Sequence, residues 1–317
     1  MSDWKAPGDF YDGTHFVVKG LPQQVPGVTD NPVQREIVVC LHGIKAYHVC
    51  WNRFADFVIS TNPNKFVVIA FDQMGRGFSS PSANGHYTDY EYIPHLYNFL
   101  TYLKRTYLPL KGIAASASQK FHLVGHSFGG CLSAMFAGIH PSSVKSLTLL
   151  APAGLMNFLP FGLIQNGPII RHLMKTKLEK RDNQIQSWRD DFFSHEGDAL
   201  ELENEQVEQL TKMYDHNRNA FPSFWATFTT FPLIDISKQL HVIKAAEAFP
   251  VFLLWGDKDE AISFKTSFPK WVKLFESDST KCSFQKKVYP NAKHGFYLEY
   301  HREVNRDILD FLVHHSE

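Results

Sequence analysis

Residues 121–130, FHLVGHSFGG, carry the spacing on which chemistry in this chain depends. An apolar run ends in Gly125-His126-Ser127-Phe128-Gly129, and Gly130, Cys131, Leu132 and Ala134 then open a helix-compatible stretch. A serine hydroxyl is a weak nucleophile, so it must stand clear of the backbone, within reach of a base and beside donors for an oxyanion. A sharp strand-to-helix turn gives that exposure, and glycines two residues to either side of Ser127 let the chain turn without side-chain clash. Glycine and serine are common, so the pattern gains meaning only from what surrounds it. Two partners lie late in the chain. Gly256-Asp257-Lys258-Asp259-Glu260 offers acids after one apolar run, and His294 follows another.

The elements that would position these groups are legible in order. Residues 14–18 (THFVV) and 36–41 (EIVVCL) read as strands, separated by turn material with Pro22, Pro26, Gly27 and Pro32. The second runs into Leu41-His42-Gly43-Ile44. Loops at the carboxyl ends of parallel strands build the ligand crevice, so the Ile44 N–H reads as one oxyanion donor and the Phe128 N–H as the other. His42 orders that loop rather than acting as the base, since a serine on such a strand-to-helix turn, a nucleophile elbow, pairs with a histidine near the C-terminus. Residues 66–72 (FVVIAFD) are apolar up to a final acid, as in a buried parallel strand. The following Asp72–Ser79 turn lacks the third glycine and the G-K-[ST] of a phosphate loop, and Asp72 reads as its cap. A helix is predicted after Thr88 from the spacing of Ile93, Leu96, Leu100, Leu103 and Tyr107, with Pro94 blurring its start. Strands are expected at 144–150, 250–255 and 282–289, and a last helix turns Val304, Ile308, Phe311 and Leu312 to one face. Alternating elements of this kind give an α/β fold with a mostly parallel sheet and right-handed crossovers.

Between 155 and 238 no strand is predicted, and Ile169, Leu173, Leu178, Trp188, Phe192, Leu210 and Tyr214 fall in helical stretches. The expected organisation is a core at 1–154 and 239–317 with a helical cap at 155–238. The cap aromatics Phe158, Phe161, Phe221, Phe224, Trp225, Phe228 and Phe231 are expected to split between its own core and a pocket beneath it. The pocket candidates are Phe158, Phe161, Trp225 and Phe228, together with His42 and Phe296. The acidic run 195–208 reads as a solvated face.

Composition excludes several classes. Of 317 residues, 44% are hydrophobic and 20% charged, with 32 basic and 32 acidic residues, so no global field draws the chain to nucleic acid. Cys40, Cys50, Cys131 and Cys282 lack metal or redox spacing and read as buried free thiols. The start, MSDWKAPGDF, has no apolar secretory segment, and the expectation is a cytoplasmic protein. No charged residue occurs between Lys145 and Arg171, but three prolines and three glycines interrupt that run. A buried strand and apolar loop or short helix fit it better than a membrane span. Peripheral membrane contact through the cap remains an alternative. No residue pattern specifies an oligomer.

Ser127, then an acid after a late strand, then His294 is the order associated with the elbow topology. With L-H-G-I at 41–44, D-x-x-G-x-G-x-S at 72–79, G-H-S-F-G-G at 125–130, G-D-K-D at 256–259 and H-G-F at 294–296, the chain resembles an α/β-hydrolase-fold serine hydrolase. The resemblance covers nearly all of it outside the insertion. It implies Ser127 as nucleophile, His294 as base and Asp259 as the acid, by its place three residues after Gly256; Asp257 is the rival. No metal or cofactor is implied.

The resemblance also narrows the reaction. Serine at 127 argues against the dehalogenases and epoxide hydrolases of the fold, which use aspartate there. His126 and Phe128 differ from the tryptophan beside the nucleophile of prolyl-peptidase-like relatives and the asparagine before it in C–C hydrolases, and Phe296 stands where the latter favour tryptophan. The expected activity is hydrolysis of a small apolar carboxylic ester through an acyl-enzyme, in the manner of a monoacylglycerol lipase. A C–C hydrolase, an aminopeptidase, an acyltransferase or a low-turnover ligand receptor of the same fold stays open, and steady multiple turnover separates the enzymes from the receptor.

Overall fold

The computed structural model describes residues 6–22, 31–157, 161–240, 249–276 and 282–316. Its scaffold is an eight-stranded sheet in the order β1-β2-β4-β3-β5-β6-β7-β8. These are Asp9–Tyr11, Thr14–Lys19, Glu36–Leu41, Phe66–Phe71, Phe121–His126, Val144–Leu150, Val251–Gly256 and Phe284–Tyr289 in chain order. The six strands from β3 onward run parallel, whereas β2 pairs antiparallel with both β1 and β4. The parallel arrangement follows from composition: β4, β5 and β7 are buried at every position, as strands covered on both faces must be.

Register sets the site. Leu41 pairs with Phe71 and Gly125, His126 with Leu150, and Gly256 with Tyr289, so the loops after these strands leave along one edge. Helices cover both faces. α1 (Asn52–Thr61) buries Phe54, Ala55 and Val58. α2 (Asp89–Tyr102) starts at a capping box in which Glu91 accepts the Thr88 N–H at 3.1 Å, and it runs through Pro94. It continues as a wider turn at Leu103–Tyr107 into the short α3 (Leu108–Leu110). α4 (Phe128–Ile139) is buried for eleven of its twelve residues, Ile139 excepted, because glycines, alanines and a serine let it lie close to β5 and β6. The strand β1 and the helix α1 go beyond the sequence expectations, the former being three residues long.

The insertion holds α5 (Phe161–Asn166), α6 (Pro168–Leu178), α7 (Arg181–Arg189), α8 (Gly197–His216) and α9 (Ala220–Thr230). Among the described residues no strand lies within it. Its two ends are joined by an antiparallel bridge between Leu155 and Asp235, with Gly154 N–H donating to Leu233 O at 2.9 Å and Ile236 N–H to Gly154 O at 2.8 Å. The chain then re-enters the sheet and closes with α10 (Phe264–Phe275), α11 (Phe296–Glu299) and α12 (His301–His314). Among the described residues the uncharged stretch after Lys145 holds most of β6, α5 and the start of α6, and no described helix is long and apolar enough to cross a membrane. All four cysteines are free and buried, and burial holds their thiol pKa values above the ordinary one.

Candidate active site

Ser127 is the single residue between the end of β5 and the start of α4, and its φ of +54° is a conformation that side-chain-bearing residues avoid. Such backbone stores about 1–3 kcal/mol and persists only where neighbours enforce it. Here the Ser127 N–H donates to Leu150 O at 2.9 Å, and Ser127 O accepts from Cys131 and Ala153. Both flanking glycines are required: a Cβ at Gly125 would meet Gly129 O at 2.5 Å, and one at Gly129 would meet Leu41 O at 2.2 Å.

His294 follows β8 and lines the same cavity as Ser127. Its Nδ1–H donates to Asp259 Oδ2 at 2.8 Å, which leaves Nε2 as the acceptor. Burial works against the imidazolium, but the Asp259 charge and this hydrogen bond outweigh it, so the His294 pKa lies above the ordinary histidine value. Asp259 is 3% exposed, and its other oxygen takes the Ile262 N–H at 2.9 Å. Asp257 points elsewhere, pairing with Lys258 at 3.2 Å and accepting the Ala292 N–H at 3.4 Å. The structure thus brings Asp259, not Asp257, against His294.

The loop after β3 is fixed from below. His42 is fully buried; its Nε2 accepts the Gln73 N–H at 3.0 Å, which leaves the proton on Nδ1 to donate to Gly43 O at 2.8 Å. Burial drops its pKa to about 4, so that tautomer is neutral over the physiological range. The Gly43 carbonyl also accepts the Ala46 N–H at 3.0 Å. In a trans peptide the following N–H points opposite to the carbonyl, so these bonds aim the Ile44 N–H away from His42. Among the described residues neither the Ile44 nor the Phe128 N–H reaches a protein acceptor. Gly43 sits against the nucleophile: a Cβ there would lie 3.5 Å from Ser127 Cβ.

The cavity beside Ser127 has a volume of about 50 Å³, with Ile44, Trp188, Phe192, Leu210 and Leu298 among its apolar walls. The aromatic expectations fare unevenly. Phe158 lies outside the described residues, and Phe161 is placed by its backbone alone, at the start of α5. Trp225 and Phe228 cluster with Phe224, in contact with Ile44 but off this cavity's walls. Phe296 is fully buried and stacked on Tyr289, a core residue, and His42 lies beneath the loop with both ring nitrogens engaged.

Three wall residues, Lys45, Asp191 and His126, make contacts at the cavity that are not read from the sequence. Lys45 Nζ donates to Ser187 O at 2.9 Å, Ser187 Oγ at 3.0 Å and Asp191 Oδ2 at 3.0 Å, while Asp191 O accepts the Gly295 N–H at 2.7 Å. The end of α7 is thereby tied to the loops of both Ile44 and His294. His126 lies 4.6 Å from the His294 ring and donates Nε2–H to His294 O at 3.0 Å; burial and His294 keep it well below its ordinary pKa. Lys45 follows Ile44 directly, but its partners are about 140 residues away, and nothing local signals them.

Asp72 proves to be a hub. Its two oxygens accept the His48 N–H and Nδ1–H at 2.7 and 2.9 Å, His15 Nδ1–H at 2.7 Å and the Phe78 N–H at 3.0 Å. Ligand-type atoms of His15, His48 and Asp72 lie within 4.8 Å of one another. The carboxylate is already saturated by four N–H donors, so the cluster fits a hydrogen-bond network better than a metal site.

A family model described as alpha/beta hydrolase fold matches residues 36–300. The chain is 30% identical over 125 residues to monoacylglycerol lipase abhd6-B of Xenopus laevis, covering 39% of this chain and 33% of that relative. That match spans about a third of the relative's length. A longer match, 22% identical over 289 residues, covers 90% of this chain and 79% of monoacylglycerol lipase ABHD6 of Mus musculus. A solved carboxylesterase of Nitrososphaera gargenis is similar in fold, with a TM-score of 0.68 and 16% identity over 96% of this chain and 95% of that one.

Proposed function

Because this chain belongs to the α/β-hydrolase fold family, we propose that it hydrolyses carboxylic esters with Ser127 as nucleophile, His294 as base and Asp259 orienting it. One observation carries the reading: a strained, buried serine lines a cavity with a histidine whose far nitrogen is held by a buried carboxylate. His294 Nε2 takes the Ser127 proton as Oγ attacks the ester carbonyl, and the Ile44 and Phe128 N–H groups receive the oxyanion. Collapse expels the alcohol, protonated by His294, and leaves an acyl-Ser127 ester. Water activated by the same imidazole releases the acid. No metal or cofactor enters this scheme.

The cap is residues 155–238, and the acyl group sits under it. Apolar walls favour an uncharged acyl chain, while about 50 Å³ admits a short one unless the α7 end moves. The cap also supports a peripheral membrane contact: α6 has no buried residue, with Ile169 75% and Leu173 63% exposed among Lys175, Lys177 and Lys180. Sedimentation with anionic vesicles, lost in Leu173→Glu, is the expected result for that contact.

The reading is tested with p-nitrophenyl esters of increasing acyl length, wild type beside Ser127→Ala. Turnover that vanishes in the variant is expected; equal inertness of both would move C–C, peptide or receptor chemistry to the front.

A further inference from the structure

Arg76, at the centre of the Gly75-Arg76-Gly77 turn, is 1% exposed. Among the described residues its guanidinium pairs with no carboxylate. Nε donates to Ile44 O at 3.3 Å, Nη1 to Met74 O at 2.8 Å and Tyr92 OH at 3.4 Å, and Nη2 to Thr227 Oγ1 at 2.9 Å. Burying a cation among neutral acceptors carries a desolvation penalty of several kcal/mol, which an apolar side chain of similar volume would avoid. The core therefore gives no reason for an arginine here. Its partners do.

The same turn is where the cap is seated. A Cβ on Gly75 would meet Ser223 Oγ of α9 at 1.9 Å, so backbone and cap touch with no room for a side chain. Asn217 Nδ2, at the end of α8, donates to Gly75 O at 3.2 Å and Gly77 O at 2.9 Å. Tyr92 OH and Thr227 Oγ1 lie 2.7 Å apart, and the Thr227 hydroxyl donates to Ser223 O at 2.8 Å. Thr227 is thus oriented to accept from Arg76.

We infer that Arg76 is a positioning residue that couples the seating of cap helix α9 to the placement of the Ile44 N–H. His42 fixes the peptide before Ile44 through the Gly43 carbonyl, and Arg76 fixes the peptide after it through the Ile44 carbonyl. With both peptide planes clamped, the donor keeps its direction. A cap that lifts from the turn takes Thr227 from the guanidinium and loosens the second clamp. The inference rests on the proposed role of Ile44 as an oxyanion donor, and it ties that donor to the presence of the cap over substrate.

The test uses the full chain as wild type, Arg76→Met, Arg76→Lys and Thr227→Val. Two readouts are taken: kinetics on a short soluble p-nitrophenyl ester with inhibition by a trifluoromethyl ketone, and hydrogen exchange of the 43–46 amides. Arg76→Met is expected to lower kcat about tenfold or more with KM within about twofold, and to weaken the ketone, a tetrahedral-adduct former, by the same factor as kcat/KM. Arg76→Lys should fall between it and wild type. Thr227→Val, which removes one hydroxyl from the cap, should shift kcat in the same direction and speed exchange at 43–46. Unchanged exchange and unchanged ketone affinity in folded variants would overturn the inference; if Arg76→Met does not fold, Thr227→Val decides. A wild type inert toward every ester would instead remove the hydrolase reading, while the exchange data still report on the coupling.

Discussion

At the scale of single residues, the proposed base has a definite pH signature. His294 must be neutral to accept a proton, and its pKa is raised by Asp259 despite burial. Protonation therefore persists to higher pH than in an ordinary histidine, and kcat/KM should rise with pH through an apparent pKa above the usual imidazole value. Asp259→Asn should depress kcat by roughly four orders of magnitude, as loss of the orienting acid does in a comparable triad. Asp257→Asn should stay within about twofold, since Asp257 engages Lys258 and a turn amide. Initial-rate pH profiles of the three proteins check this. Ser127 and His294 are legible in sequence because each lies at a strand end in a fixed local pattern. Spacing from Gly256 favours Asp259 without excluding Asp257, and only the turn's geometry sets Asp259 against His294.

At the scale of elements, the strands were the readable part and the cap contacts were not. β3 to β7 announce themselves as short apolar runs bounded by turn residues, whereas α2 shows how a local rule yields: its capping box at Thr88 and Glu91 fixes the start, and Pro94 is absorbed within the helix. The pocket was poorly legible because helix periodicity says which residues are inside a cap, not which face the core. Phe296 is a pocket candidate from sequence, yet it is buried and stacked on Tyr289. Lys45, on the wall of the cavity beside Ser127, holds Ser187 and Asp191 at the end of α7. Lys45→Met should release that end of α7 and raise kcat/KM for long acyl esters relative to short ones by about threefold or more, which the ester series measures directly. A uniform loss at all lengths would assign Lys45 to the oxyanion loop's stability instead. The partly exposed pair is worth about 1 kcal/mol or less, enough to bias such an opening without preventing it.

At the scale of the whole molecule, a mostly parallel sheet flanked by helices follows from the alternation of elements and is legible in the sequence, whereas the strand order β1-β2-β4-β3-β5-β6-β7-β8 is not. The Asp72 hub and the buried Arg76 are not legible there either, since each joins segments far apart in sequence: residues 15 and 48 in one case, 44 and 227 in the other. A turn that reads locally as punctuation is globally where the sheet, the loop after β3 and helices α8 and α9 meet.

Everything proposed for the reaction depends on Ser127 forming the acyl-enzyme. The most direct measurement is mass spectrometry of peptides from the protein after reaction with a fluorophosphonate, which esterifies only an activated serine. A single adduct on the peptide carrying Ser127, blocked when Asp259 or His294 is replaced, is the expected result. Absence of any adduct, or one on another serine, would contradict the account.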